Sequence, residues 1–218
     1  MSSKRFYLLF LLIGILSFTT LTIFGAATFL PMFNNFLNAS QKQIIINQPT
    51  ANPTSPSYGP ENAKMKIVVF GDFLCPISKA TSEVISQVAN DYPEDVRVIW
   101  KDFPNIKLHP NADILAGAAR CAKKEGKFWQ FHDLLFENQK TLSAKNSSGM
   151  LLEIADSAGL NRANFINCIS TEETLPFVEE DFNEGKSLKI SGTPYLFIND
   201  IIKINGAVTY EELEAYLK

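Results

Sequence analysis

The strongest constraint on the fold lies at residues 65–92, where the hydrophobic period changes within a few positions. Met65-Lys66-Ile67-Val68-Val69-Phe70 is a short apolar run that ends at Gly71-Asp72. A run of that length bounded by turn residues is the pattern of a buried central strand. From Cys75 the period becomes helical, with Ile77, Ala80, Val84, Ile85 and Val88 on one face, and it stops at Tyr92-Pro93. A proline disfavours helical geometry in the residue before it, so a helix ends there. Val96 to Lys101 then predicts a second strand, closed by Asp102-Phe103-Pro104. The three together are a β-α-β unit.

From Pro110 to about Leu188 the chain turns helical throughout. Ile114, Leu115, Ala118 and Cys121 make one apolar face, which Gly126 breaks, and Phe128, Phe131, Leu134 and Leu135 make the next. Leu151–Ala158 and Phe165–Ile169 predict two short helices, and Leu175–Leu188 a longer one. After Ser191-Gly192-Thr193-Pro194, Tyr195–Ile198 and Ile201–Ile204 read as two strands around Asn199-Asp200, a favourable two-residue hairpin turn. Tyr210–Leu217 has acidic residues in its first turn, a helix-start signal. The order βαβ, helical block, ββα describes one split α/β domain with an all-helical insertion at about 109–189. Its expected start is residue 63.

Before it come two segments of different character. Lys4 and Arg5 precede the uncharged stretch Phe6–Leu30. As a helix that stretch would span roughly 38 Å, longer than the ~30 Å hydrocarbon core of a bilayer. Residues 1–33 are therefore a signal peptide or an uncleaved signal-anchor, with Gly25-Ala26-Ala27 as a possible cleavage site. Both readings keep Lys4 and Arg5 inside and send the rest of the chain out of the cytoplasm. Residues 34–62 read as a linker, since Gln48 to Ser57 is small, polar and proline-rich. Without the two N-terminal basic residues the remainder carries 18 basic against 23 acidic side chains. An acidic surface is no footprint for nucleic acid. Three Cys and two His do not make a four-ligand zinc site without carboxylates, and no metal or cofactor is expected.

Chemistry is expected at the first strand-to-helix turn. Cys75 stands where the strand has ended and the helix begins, with Pro76 in the first helical turn, a position that tolerates proline. Free N–H groups and the positive end of the helix dipole favour thiolate there. The neighbours Phe73, Leu74, Pro76 and Ile77 predict a shallow apolar rim suited to unfolded polypeptide.

The segment Phe70-Gly71-Asp72-Phe73-Leu74-Cys75-Pro76-Ile77 resembles the active-site region of DsbA-type thiol–disulfide oxidoreductases, a branch of the thioredoxin superfamily. Three further stretches match in order. Trp100-Lys101-Asp102-Phe103-Pro104 resembles the second strand and its exit. Ala119-Arg120-Cys121-Ala122, Gly126-Lys127-Phe128-Trp129 and Phe131 to Phe136 resemble the inserted helical domain, and Gly192-Thr193-Pro194 resembles the cis-proline loop. The resemblance covers about Met65 to Lys218. It implies a thioredoxin-like fold, a cis Pro194 opposite Cys75, and a Thr193 backbone that pairs with extended substrate, with Pro76 also in the substrate-binding set.

One departure changes the chemistry. The family's Cys-x-x-Cys reads Cys75-Pro76-Ile77-Ser78 here. A hydroxyl cannot close an intramolecular disulfide, so Cys75 is expected to work through a mixed disulfide released by a second thiol. Ser78 would stabilise the thiolate by hydrogen bonding. The resemblance also places a non-catalytic pair in the helical insertion, which implies a Cys121–Cys168 disulfide; the alternative is two buried free thiols. A loop of about 47 residues closed that way would be worth roughly 4 kcal/mol in the chain-entropy account.

Asp72 and Lys101 are candidates for tuning the thiol, each set against a plain reading as a loop carboxylate and a solvated strand-end lysine. His132 is expected to pack or face solvent, far from Cys75. The function implied is disulfide formation or isomerisation in exported proteins, at the outer face of a membrane or in the periplasm. The partners implied are exported or unfolded polypeptide thiols and a membrane redox partner or small thiol. The alternatives are a redox-silent substrate-binding chaperone and a glutathione-dependent transferase or isomerase.

Overall fold

The two runs of continuous apolar sequence form the centre of the sheet. β2 (Met65–Gly71) and β3 (Val96–Asp102) lie side by side and parallel, with Val68 opposite Ile99. They are buried on both faces, which is why they read as unbroken apolar runs rather than as alternation. β4 (Tyr195–Ile198) adds antiparallel to β2, and β5 (Ile202–Asn205) adds antiparallel to β4. A short β1 (Ser57–Tyr58) closes the other edge antiparallel to β3, giving a mixed sheet in the order β1-β3-β2-β4-β5.

This computed structural model describes residues 48–50, 53–143 and 148–218, all within one compact unit. The predicted signal or anchor segment and most of the linker lie outside the described residues. Among the described residues no helix is long and apolar enough to cross a membrane.

The strands' alternate faces fill two cores. Ile67, Val69, Val98, Trp100, Leu196 and Ile198 point to one side. They meet α1 (Pro76–Asp91) through Ile85 and Val88 and the closing α8 (Tyr210–Glu214) through Leu213. Thr209 caps α8 in a reciprocal box with Glu212, satisfying two otherwise free N–H groups. On the other side Val68, Phe70, Ile99 and Phe197 pack with Phe103, Leu188 and Ile190.

Between β3 and β4 the chain is helical, as the periodicity predicts. The insertion comprises α2 (Ala112–Lys124), α3 (Phe128–Glu137), α4 (Gln139–Leu142), α5 (Ser148–Ser157), α6 (Arg162–Ser170) and α7 (Leu175–Ser187). Gly126, at φ +71°, makes the break between α2 and α3, a conformation that costs glycine little.

Two sequence expectations are corrected. The folded body begins before Ala63: β1 belongs to the sheet, Trp100 N–H donates to Pro56 O at 2.9 Å, and Arg120 Nη1 donates to Thr54 O at 2.8 Å. Polar, proline-rich sequence hid an edge strand that is held by backbone bonds and by Tyr58, whose ring packs edge-on against Trp129 at 4.5 Å. The β4–β5 hairpin has a three-residue loop, not two, because Ile198 pairs with Ile202. Asn199 and Asp200 both take positive φ, and the exposed Ile201 is the additional residue.

Candidate active site

The turn between β2 and α1 is built on backbone bonds. Cys75 N–H donates to Asp72 O at 3.0 Å, and Cys75 O accepts Lys79 N–H at 3.2 Å, the first bond of α1. Cys75 is thus the N-cap residue, in extended backbone geometry, and Pro76 occupies the first helical turn without wasting a donor. Beneath the turn a Cβ on Gly71 would sit 2.2 Å from the Trp100 ring, so only glycine admits that indole. Phe73 stacks on Trp100 at 4.9 Å.

This packing changes the expected apolar rim. Phe73 and Leu74 are buried in the core, and only Pro76 and Ile77 remain exposed beside the thiol. Further exposed apolar side chains, Ile106 and Leu108, come from the Asn105–His109 loop, which is tied to the same turn.

Cys75 is the free cysteine of the three and is 7% exposed. Its thiol donates to Thr193 O at 3.3 Å. The Thr193–Pro194 peptide is cis, and Pro194 O accepts Gly206 N–H at 2.9 Å, fixing the loop to the end of β5. Cys75 and Thr193 are 118 residues apart in sequence, and the antiparallel pairing of β4 with β2 brings them together. Ser78 is buried beneath them, and its hydroxyl oxygen accepts Asp72 N–H at 3.4 Å. The hydroxyl therefore serves the turn's backbone, where sequence reasoning expected it on the thiol.

Asp72 is neither a proton acceptor reached through open water nor an idle loop carboxylate. It is 1% exposed. Oδ1 accepts Leu74 N–H at 2.8 Å; Oδ2 accepts Asn105 N–H at 2.9 Å and lies 2.8 Å from His109 Nδ1. Sequence reasoning missed His109, whose only signal was a histidine just before the first inserted helix. It also missed Gln139, whose side-chain amide donates to Phe73 O at 2.8 Å and Cys75 O at 3.0 Å. Nothing local to a Gln in a short helix marks that role.

Lys101 is fully buried, which corrects its reading as a solvated lysine. Its ammonium meets Asp181 at 2.8 Å and Glu184 at 2.9 Å. Its charge is spent on α7. Arg120 Nε pairs with Asp102 at 2.6 Å and its Nη2 with Asp181, while Asp102 N–H donates to Asp181 at 3.1 Å. Burial, reinforced by the Asp102 charge, pushes the Asp181 carboxyl up to about 6, against the opposing pull of Arg120 and Lys101.

His132 is also buried, and it is closer to the site than expected. Its ring packs edge-on to Phe73 at 5.5 Å and to Trp100 at 4.9 Å. Burial pushes its pKa down, opposed by the Asp133 carboxylate 2.8 Å from Nδ1. It touches the core of the turn and remains a packing residue. Cys121 and Cys168 form a disulfide between α2 and α6, with Cα atoms 5.9 Å apart.

A thioredoxin family model matches residues 51–218. The chain belongs to the thioredoxin family. Disulfide bond formation protein D of Bacillus subtilis (strain 168) is 27% identical over 165 residues, covering 73% of each chain. Oxidised BdbD from Bacillus subtilis superposes with a TM-score of 0.67 at 25% identity, over 78% of this chain and 93% of that one. Na(+)/H(+) antiporter NhaA 1 of Salinispora arenicola (strain CNS-205) is 29% identical over 202 residues, 91% of this chain. The chain spans 30% of that antiporter's length. Its solved neighbours include DsbA-type thiol–disulfide oxidoreductases.

Proposed function

We propose that the protein carries out thiol–disulfide exchange on exported polypeptides through a mixed disulfide at Cys75. The observation that carries the reading is the free thiol capping α1, 3.3 Å from Thr193 O across a cis X–Pro peptide, with Ser78 in place of a second thiol. A thiol at a helix N-terminus faces unpaired N–H groups. Thr193 and Pro194 offer backbone beside it for an extended substrate.

Lacking a resolving thiol, the site makes and breaks one bond at a time. Cys75 Sγ bonds one sulfur of a substrate disulfide as that disulfide breaks, and the departing sulfur carries off the proton as a thiol. A second thiol, from the same substrate or from a small thiol, then displaces Cys75 and restores it. No net electrons are consumed, so the cycle suits isomerisation better than oxidation. Location outside the cytoplasm rests on the charge-flanked apolar N-terminal segment and fits the exported setting in which disulfides persist.

The test is capture of a mixed disulfide. The full chain, incubated with a disulfide-containing model peptide and quenched with acid, should give an adduct mapped to Cys75 by mass spectrometry. Cys75→Ser should give none. A wild-type protein that binds unfolded peptide yet forms no adduct would establish the redox-silent binding reading instead, which Ser78 keeps in contention.

A further inference from the structure

We propose that His109 is a positioning residue for the chemistry of Cys75, acting through Asp72 to hold the thiol-bearing turn and the apolar Asn105–His109 loop in fixed relation. The inference rests on the exchange reading for its consequence, though not for its geometry.

One buried carboxylate joins two segments. Asp72 Oδ1 takes the N–H of Leu74, the residue next to Cys75, and Oδ2 takes both Asn105 N–H and His109 Nδ1. The loop between those two donors is itself rigid. Leu108 and His109 N–H groups both donate to Asn105 O, at 3.0 and 2.8 Å, and His109 O accepts Ala112 N–H at the start of α2. The loop is therefore bolted to Asp72 at both ends. It presents Ile106, 56% exposed, and Leu108, 72% exposed, on a loop tied through Asp72 to the turn that carries Cys75.

The chemistry explains why a histidine stands there. A carboxylate at Nδ1 requires that nitrogen to carry the proton, on a side chain 23% exposed. A buried carboxylate with a donor removed is left undersolvated and free to turn away from its remaining partners. Its hold on the N–H of Leu74, the residue before Cys75, is then weakened. Losing His109 thus acts on Cys75 by loosening both the Leu74 tether and the loop that shares it.

The experiment compares His109→Ala and His109→Asn with wild type, in the full chain. Asn places a neutral N–H donor where Nδ1 sits. Each protein is assayed for alkylation of Cys75 by iodoacetamide, for mixed-disulfide formation with the model peptide, and for thermal unfolding. His109→Ala should slow both reactions about tenfold, the effect of one charge-assisted hydrogen bond. His109→Asn should stay within about twofold of wild type. The inference is overturned if His109→Ala reacts at the wild-type rate or faster, or if Asn fails to restore what Ala loses. It is equally overturned if the rates merely track the unfolding temperatures. A wild type that is alkylated but forms no mixed disulfide defeats the exchange reading alone, and the alkylation rates still decide the role of His109.

Discussion

Two buried polar regions flank β3, and they are satisfied in opposite ways. At the Asp102–Arg120–Asp181–Lys101 cluster every charge faces an opposite charge, at 2.6–2.9 Å where Lys101 meets Asp181 and Glu184 and Arg120 meets Asp102. At the Cys75 turn a carboxylate, a serine hydroxyl and a glutamine amide are spent on backbone N–H and C=O groups and, for Asp72, on His109 Nδ1, and the thiol has a single carbonyl partner. The first region uses its charges up and joins β3, α2 and α7. The second uses polar groups to hold a reactive atom whose own valence is left for a substrate. Burial of charge by itself does not mark a site; an under-partnered nucleophile among fully partnered supports does.

The comparison is broken most severely at Arg120. Arg120→Ala leaves Asp102 and Asp181 buried with a cation removed between them, and removing one member of such a set costs about 3–5 kcal/mol. Urea unfolding should show that loss. Cys75 alkylation in the surviving folded fraction should stay near the wild-type rate, because no hydrogen bond links Arg120 to the turn. A tenfold fall in alkylation would mean that the two regions are one coupled system.

Acid sharpens the contrast, since the two faces hold titrating groups of opposite sign. Asp181, pushed up to about 6, binds a proton in the folded state over a range where the unfolded chain has released it. Its contribution to stability therefore falls as pH rises from about 4 to 6 and is constant above, by up to roughly 3 kcal/mol. His132, pushed down by burial, works the other way. Its contribution is complete above the ordinary histidine range near 6.5 and is lost as pH falls through it. Unfolding free energies from pH 4 to 8 should show both slopes, and Asp181→Asn should remove the falling one while leaving the rise attributable to His132. Loss of both slopes in that variant would show that the faces titrate together.

What the sequence made legible divides along the same line. The strands, the insertion and the cysteine at the strand-to-helix turn were readable because periodicity and the Cys-Pro junction are local signals. The opposition of Cys75 to Thr193 and Pro194, and the Cys121–Cys168 disulfide, came only through resemblance, since nothing local joins residues that far apart. Lys101 was misplaced because a lysine ending a strand ordinarily reaches water, and its partners Asp181 and Glu184 lie some eighty residues on. Ser57–Tyr58 was missed because an edge strand of two residues is too short to show an alternating pattern. His109, Asn105 and Gln139 were invisible for a common reason. Each acts on backbone or carboxylate atoms of the turn from the loop or helix after β3, a relation created by the fold and carried by no motif.

The smallest effect expected, and the most selective, is at Gln139. Its amide gives both hydrogens to the turn, to Phe73 O and Cys75 O. Cys75 O keeps Lys79 N–H as a partner; Phe73 O is the acceptor put at risk. Gln139→Leu replaces a buried donor with an apolar side chain of similar size, so the cost is that of a buried acceptor losing a partner, about 1–3 kcal/mol. The charged cluster lies outside this contact, so the Asp181 slope should survive unchanged. The consequence for chemistry should exceed the consequence for stability, because the two carbonyls bracket Leu74 and set the direction in which Cys75 enters α1. Mixed-disulfide formation at matched folded fraction should therefore fall in Gln139→Leu. A variant that loses stability while reacting at the wild-type rate would show that the turn is held by Asp72 alone and that the helical insertion merely covers it.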